Sequence, residues 1–321
     1  MMYKLFASAC IGLAALGSTP IASADTWPSR PIVLLVPWAP GGSSDTIARI
    51  LGEDLSRRLN TTVVVENKPG AGGTIGSAQL ARAKPDGYTF MLGVSGDQVN
   101  AEFLYPNLSY SPSKDIVPVS TVAREAILIA GNAKLPAAGP QDMLALAGKQ
   151  ELSFGTSGIG STGHLAGELL KRRAHAQLNA IPYKGNAPAI TDAIAGHVDM
   201  VIASPVAVVE HVRTGSLKAL AVTSAERIEQ LPDVPTLKES GYDIEVNTWY
   251  MVVAPAKTPQ DIVERMSAAV RESVASPAVH ARITQIGAIP QASTPQEMGA
   301  LLKDERTVWG KLIQEAGISA Q

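Results

Sequence analysis

The sequence predicts an α/β protein of two lobes, each a mostly parallel sheet flanked by helices. Three observations carry that expectation. Short apolar strands alternate with helically spaced segments; the alternation stops at a proline-dotted stretch from 100 to 118 and then restarts; and 321 residues suffice for two lobes of ordinary size.

The first strand is the branched, apolar run from Ile32 to Val36, as expected where both faces are covered, and Pro37 and Pro40 end it. A turn follows at Ala39 to Ser43. Beyond it Ile47, Ile50, Leu51 and Leu55 recur at helical spacing, Ser43 and Ser44 are good N-cap types, and Asp45 suits the positive first turn. Gly41 and Gly42 leave the backbone bare before that helix, so its free N–H groups can approach an oxyanion. Ordinary connections in α/β domains share this pattern, so the turn alone does not establish a site.

Val63 to Glu66 reads as a second strand, the loop from Asn67 to Gly73 and a helix from Thr74 to Ala83 follow, and Thr89 to Gly93 is the third strand. Such βαβαβ order places ligands outside the carboxyl ends of the strands, where Ser95 is a candidate donor. A strand at Ala126 to Ala130 is expected to leave the first lobe. The rhythm then restarts with strands at Leu152 to Phe154, Ile181 to Tyr183, Val198 to Ala203 and Leu217 to Val222, each with its helix. Trp249 to Ala254 is expected to return, and helices over 259–276 and 295–316 complete the first lobe. The expected lobes are therefore 25–125 with 248–321, and 126–247, joined by two crossing strands.

Composition narrows the function classes. A net charge of -2, with no basic cluster interleaved with aromatics, lacks the footprint of a nucleic-acid binder. Lys4, the apolar run from Leu5 to Leu16 and Ala22-Ser23-Ala24 form a signal peptide, with cleavage expected between Ala24 and Asp25 and a periplasmic destination. The single cysteine, Cys10, lies inside that segment, so the mature chain has no thiol chemistry.

Gly158-Ile159-Gly160-Ser161-Thr162-Gly163 matches a dinucleotide fingerprint, but the next strand, ending at Tyr183-Lys184, lacks the acid that would hold a ribose. Laid over the opening turn, the same loop places Gly160-Ser161-Thr162 on Gly42-Ser43-Ser44. Two positive helix ends facing each other across a cleft suit an acid with two anionic ends. Asn186, in the turn after Tyr183, and Ser204, after the strand ending at Ala203, are further rims, and His164 lies one turn into its helix. There is no GxSxG elbow, and the five histidines form no metal motif. A receptor is the expected function, with no cofactor, no metal and no catalytic residue. The alternative is an exported hydrolase of carboxylate esters, using Ser157 or Ser161 with His164 as base.

Several stretches, weak singly and specific in this order, carry a family likeness. They are Pro37-Trp38-Ala39-Pro40-Gly41-Gly42-Ser43-Ser44-Asp45, Val65-Glu66-Asn67-Lys68-Pro69-Gly70, Lys84-Pro85-Asp86-Gly87-Tyr88, Phe154-Gly155-Thr156-Ser157-Gly158, Tyr183-Lys184-Gly185, Gly196-His197-Val198-Asp199 and Leu231-Pro232-Asp233-Val234-Pro235. The whole mature chain resembles the periplasmic solute-binding receptors of tripartite tricarboxylate transporters, the Bug proteins. The resemblance implies a type II periplasmic-binding fold that holds a small carboxylate, a di- or tricarboxylate or an aromatic acid, largely through backbone N–H groups. It also implies membrane transporter subunits as partners, and a monomer is the expected state. Carried over, the ligand loops are Trp38 to Asp45, including Ala39, Gly41, Gly42 and Ser43, and Thr156 to Ser161, including Ser157 and Gly160. Ser95, His164, Asn186 and Ser204 are their neighbours. Trp38 stands where many relatives have phenylalanine or tyrosine, which suggests stacking on an aromatic acid.

Overall fold

The computed structural model describes residues 27–320, so the signal segment and its cleavage point at Ala24–Asp25 lie outside the described residues. The first part of the chain forms β1 (Ile32–Val36), α1 (Ser43–Arg58), β2 (Val63–Asn67), α2 (Thr74–Ala81), β3 (Thr89–Val94), the short α3 (Ala101–Leu104) and β4 (Ile116–Ala126). Next come β5 (Leu128–Asn132), α4 (Pro140–Ala147), β6 (Leu152–Thr156), α5 (Thr162–Arg173), β7 (Leu178–Pro182), α6 (Asn186–Ala195), β8 (Met200–Ala203), α7 (Pro205–Arg213) and β9 (Leu217–Val222). The chain ends with β10 (Asn247–Pro255), α8 (Gln260–Ala275), α9 (Pro277–Gln285), β11 (Ile289–Pro290) and α10 (Pro295–Ala316).

These elements build two sheets. The first has the order β11-β4-β10-β3-β1-β2 and the second β7-β6-β8-β5-β9. Most strands in each sheet point the same way, toward the gap between the lobes. The exceptions are β10 and β11 in the first sheet and β5 in the second, whose pairings with their neighbours are antiparallel. For β5 and β10 the reversal follows from connectivity. A strand arriving from the other lobe must enter at the cleft edge, where its neighbours end, and so runs against them. Both crossing strands are internal to their sheets, paired on each side, so they are firmly held.

Each sheet buries both faces. Leu34, Val36, Ile47, Leu51 and Phe90 pack with α8 and α9 on one side of the first sheet. Ala189, Ile190, Val201 and Val208 form the core on one side of the second. A third core runs through both lobes: Leu35 and Met91 from the first sheet, Phe154 and Ile202 from the second, and Leu302, Trp309 and Ile313 of α10 belong to it. An Arg172–Glu315 ion pair at 3.0 Å ties the end of α5 to α10.

Two elements depart from the sequence expectation. The segment after α8 forms α9, with Pro277 in its first turn, and then β11, which pairs with β4. The stretch beginning at Asn100, expected to be irregular, is preceded by a wide helical turn over Gly96–Asn100 that runs into α3. Val99, Ala101 and Leu104 are buried there, an apolar spacing that the prolines further along mask.

Candidate functional site

A cavity of about 320 Å³ opens between the lobes. Its wall is contributed by the turn before α1 (Trp38, Gly42, Ser43, Ser44), by Ser157, Ser161 and Thr162 at α5, by Gly185 and Asn186 at α6, and by Ser204 before α7. Glu125, Thr248 and Tyr250 of the crossing strands complete it, with Val94, Ile127 and Ile202 as apolar patches. A larger cavity of about 840 Å³ is walled only by the first lobe, beside α2 and residues 105–110, so motion between the lobes would not close it.

The four helix starts at the cavity differ in how their free N–H groups are used. A helix leaves its first four N–H groups without internal partners. In α1 the ladder begins with Thr46 N–H donating to the Gly42 carbonyl at 3.0 Å, and no side chain caps the preceding turn. In α5 the Ser161 hydroxyl accepts from the His164 N–H at 3.3 Å. No side chain caps α6. At α7 the Ser204 hydroxyl turns away from its own helix and donates to Glu125 Oε1. The starts of α1, α5 and α6 therefore keep donors for an outside anion, and the wall has no Lys, Arg or His side chain.

Other expected residues take supporting places. Gly41 has a left-handed φ of 86°, and its N–H donates to Asp45 Oδ2 at 3.0 Å, so that donor is already used. Burial pushes the Asp45 carboxyl up, but bonds from Arg49 and the Gly41 N–H outweigh this and hold it below the usual carboxylate range. Arg49 also reaches Asn67, whose amide donates to the Trp38 carbonyl at 3.0 Å. Asp45 and the Asn67 loop thus brace the turn, while Asp45, Gly41 and the exposed Ala39 stay off the cavity wall. Ser95 is buried and accepts from the Trp249 N–H at 3.0 Å, which fastens β10 to the end of β3.

In the second lobe Thr156 is fully buried at the end of β6. Gly160 has a φ of 74°, and a Cβ there would lie 2.1 Å from Leu104 of the first lobe. The Gly160 N–H donates to His164 Nδ1 at 3.0 Å, which fixes the ring proton on Nε2. Burial lowers the His164 pKa. With Nδ1 taken by a backbone donor and Ser161 accepting from the histidine's own N–H, the serine–histidine pairing of the hydrolase reading is not formed.

Residues 47–318 match the family model described as the tripartite tricarboxylate transporter family receptor. The chain belongs to this receptor family. It is 37% identical over 320 residues to the protein BugT of Bordetella pertussis, a match that covers 98% of each chain. Among solved structures, an R. palustris protein with adipate superposes with a TM-score of 0.82 at 33% identity, covering 91% of this chain and 99% of the other. MatC from Rhodopseudomonas palustris with bound malate gives 0.76 at 30% identity, covering 89% and 99%. The periplasmic binding protein BugD gives 0.78 at 36% identity, covering 92% and 100%. The two-lobed periplasmic-binding fold and the receptor function expected from the sequence are those of the family, whose members are receptors rather than enzymes. Among the described residues no helix is long and apolar enough to cross a membrane.

Sequence reading of this receptor missed Glu125, Thr248 and Tyr250. Glu125 is 2% exposed, and Tyr250 Oη donates to its Oε2 at 2.5 Å. Thr248 donates across the cleft to the Thr162 hydroxyl at 2.9 Å. The available signal was an acid next to Arg124 at the edge of the apolar crossing run Ala126 to Ala130.

Behind the wall the Trp38 indole N–H donates at 3.3 Å to Oδ1 of Asp97, which also accepts from the Val94 N–H at 3.0 Å. Asp97 is fully buried, and desolvation, only partly opposed by a bond from Gln98, raises its pKa to about 6. Because the folded value exceeds the unfolded one, this carboxyl's contribution to stability is complete below about pH 4 and is lost as pH rises through about 6. Glu305, raised by burial to about 6, acts in the same sense. Asp97 alone is worth about 3 kcal/mol over that window. The melting temperature of the ligand-free protein is expected to fall between about pH 4 and 6, and Asp97→Asn to flatten that fall. Equal slopes in thermal melts of both proteins would contradict the assignment.

Proposed function

We propose that this receptor captures a small organic acid in the interlobe cavity and delivers it to the membrane subunits of a tripartite transporter. The observation that carries the reading is the convergence of three helix N-termini on a cavity whose wall has no cationic side chain. Such a site recognises a carboxylate by oriented N–H dipoles rather than by an arginine clamp. Adipate and malate in the solved relatives support a small carboxylate as the ligand class. Donors from Gly42, Ser43 and Ser44 in one lobe and from Ser157, Ser161 and Asn186 in the other would hold it, with the Trp38 ring beside it. The units 25–125 with 248–321, and 126–247, close about the ligand by hinge motion at the crossing strands. The mature protein acts as a periplasmic monomer after cleavage between Ala24 and Asp25.

Thermal-shift screening against C4 to C6 dicarboxylates, amino acids and aromatic acids tests the reading. At a hundredfold excess over Kd a bound acid stabilises by about 2.7 kcal/mol, a shift of roughly 5 °C, and is recovered unchanged. Absence of stabilisation by every acid, or turnover of an ester abolished by Ser161→Ala, would sink it.

A further inference from the structure

We propose that Asp97 is a positioning residue of this receptor: through the indole N–H its carboxyl holds the Trp38 ring in one orientation on the cavity wall, without itself touching the acid. The proposal rests on the carboxylate-receptor reading and goes beyond it, from the wall to what aims the wall.

Trp38 is the aromatic residue that the turn before α1 brings to the cavity, and it is half-buried there. Its backbone is set by Pro37 before it and by the Asn67 amide, which donates to its carbonyl at 3.0 Å. The ring has to be set separately. Its polar edge meets Asp97 Oδ1 at 3.3 Å, and among the described residues no other acceptor takes the indole N–H. The seat for this carboxyl is built. Asp97 is fully buried in the wide helical turn over Gly96–Asn100 and is not on the cavity wall. Two glycines make room for it: a Cβ on Gly73 would lie 2.8 Å from the Asp97 Cβ, and one on Gly93 2.8 Å from Oδ2.

Oδ1 accepts from the Val94 N–H at 3.0 Å as well as from the indole, and neither of these groups can take a proton in return. It is therefore an acceptor in either charge state of the carboxyl, because any proton has to sit on Oδ2, beside Gln98 and Ser77. Val94 and Gly96 also line the cavity, so one oxygen ties the ring of the first turn to the end of β3. A ring already held costs less to order when a ligand arrives than one that swings in solvent. Holding Val94 is a structural task. Holding Trp38 is the task that reaches the ligand.

A double-mutant cycle on the mature protein separates the two tasks. The probe for calorimetry is the tightest-binding acid among succinate, malate, glutarate, adipate, aspartate and glutamate. Asp97→Ala is expected to weaken its binding about tenfold in the wild-type background, but less than about threefold in Trp38→Phe, whose ring has no N–H to hold. Asp97→Asn keeps an acceptor for the indole, with Gln98 turning its amide, and is expected to stay within about threefold of wild type. Equal losses from Asp97→Ala in the two backgrounds would overturn the proposal and leave the receptor reading standing. So would a loss in Asp97→Asn as large as in Asp97→Ala. The indole gives a second readout that needs neither ligand nor a stably folded Asp97→Ala protein. In heteronuclear NMR spectra the Trp38 indole N–H signal, identified by its absence in Trp38→Phe, is expected to exchange with water at least about tenfold more slowly than a free indole. Exchange at the free rate would overturn the proposal. Failure of every acid to bind would instead remove the reading on which it rests.

Discussion

Gly163→Ala is expected to lower the melting temperature by roughly 2–6 °C and to weaken acid binding at least tenfold. Gly163 is in the first turn of α5, on the cavity wall, where the helix start passes over the end of β8. A Cβ on this residue would lie 2.1 Å from the Ile202 carbonyl oxygen and 3.0 Å from its carbon. Both atoms are backbone in an internal strand, so no rotamer change relieves the overlap and α5 has to move bodily. Overpacking of that kind costs about 1–3 kcal/mol, and here it also displaces the Ser161 and Thr162 donors from the cleft. Thermal melts and calorimetry on the same preparation check both effects. Unchanged melting and affinity would mean that α5 has slack at this contact, and the rigid placement of its N-terminus would be refuted.

The second large effect falls on binding alone. Gly42→Pro removes the N–H at the start of α1, and affinity for the acid is expected to drop roughly 10–100-fold, the scale of one or two charge-assisted hydrogen bonds. The fold should tolerate the change. Gly42 has φ -81°, close to the proline value, and a Cβ there meets only the Ala39 carbonyl oxygen at 3.8 Å. A melting temperature within about 2 °C of wild type with lost affinity is the expected pair of results. Unaltered affinity would show that the α1 N-terminus does not touch the ligand.

Much of this architecture is legible without coordinates, because strand and helix periodicities are local and glycine turns mark where the backbone is bare. The turn at Gly42–Ser44 and its echo at Ser161–Thr162 both lie on the cavity wall for that reason. Which atoms of a turn face inward is not local information. Asp45 looks like part of an anion cradle in sequence, but its carboxyl is consumed by Gly41 and Arg49, and Ser95 is consumed by Trp249. His164 resembles a cleft residue at one turn into α5, yet its ring folds back on Gly160. Glu125 and Tyr250 are the converse case. They stand 125 residues apart and meet only because β4 and β10 pair, so no window of sequence holds both.

The central place of β10 has a consequence for how the chain acquires its shape. The second sheet is made wholly from residues 128–222, so its strands are all present once that stretch has emerged. The first sheet cannot be completed then, because β3 and β4 are joined only through β10, which begins at Asn247. A chain made from its N-terminus therefore exposes the edges of β3 and β4 while the second sheet assembles. Closing the first lobe means spanning the whole insertion, a long-range pairing of the kind that slows folding. The ligand site, whose wall includes Thr248 and Tyr250, exists only after that last strand has slotted between its neighbours.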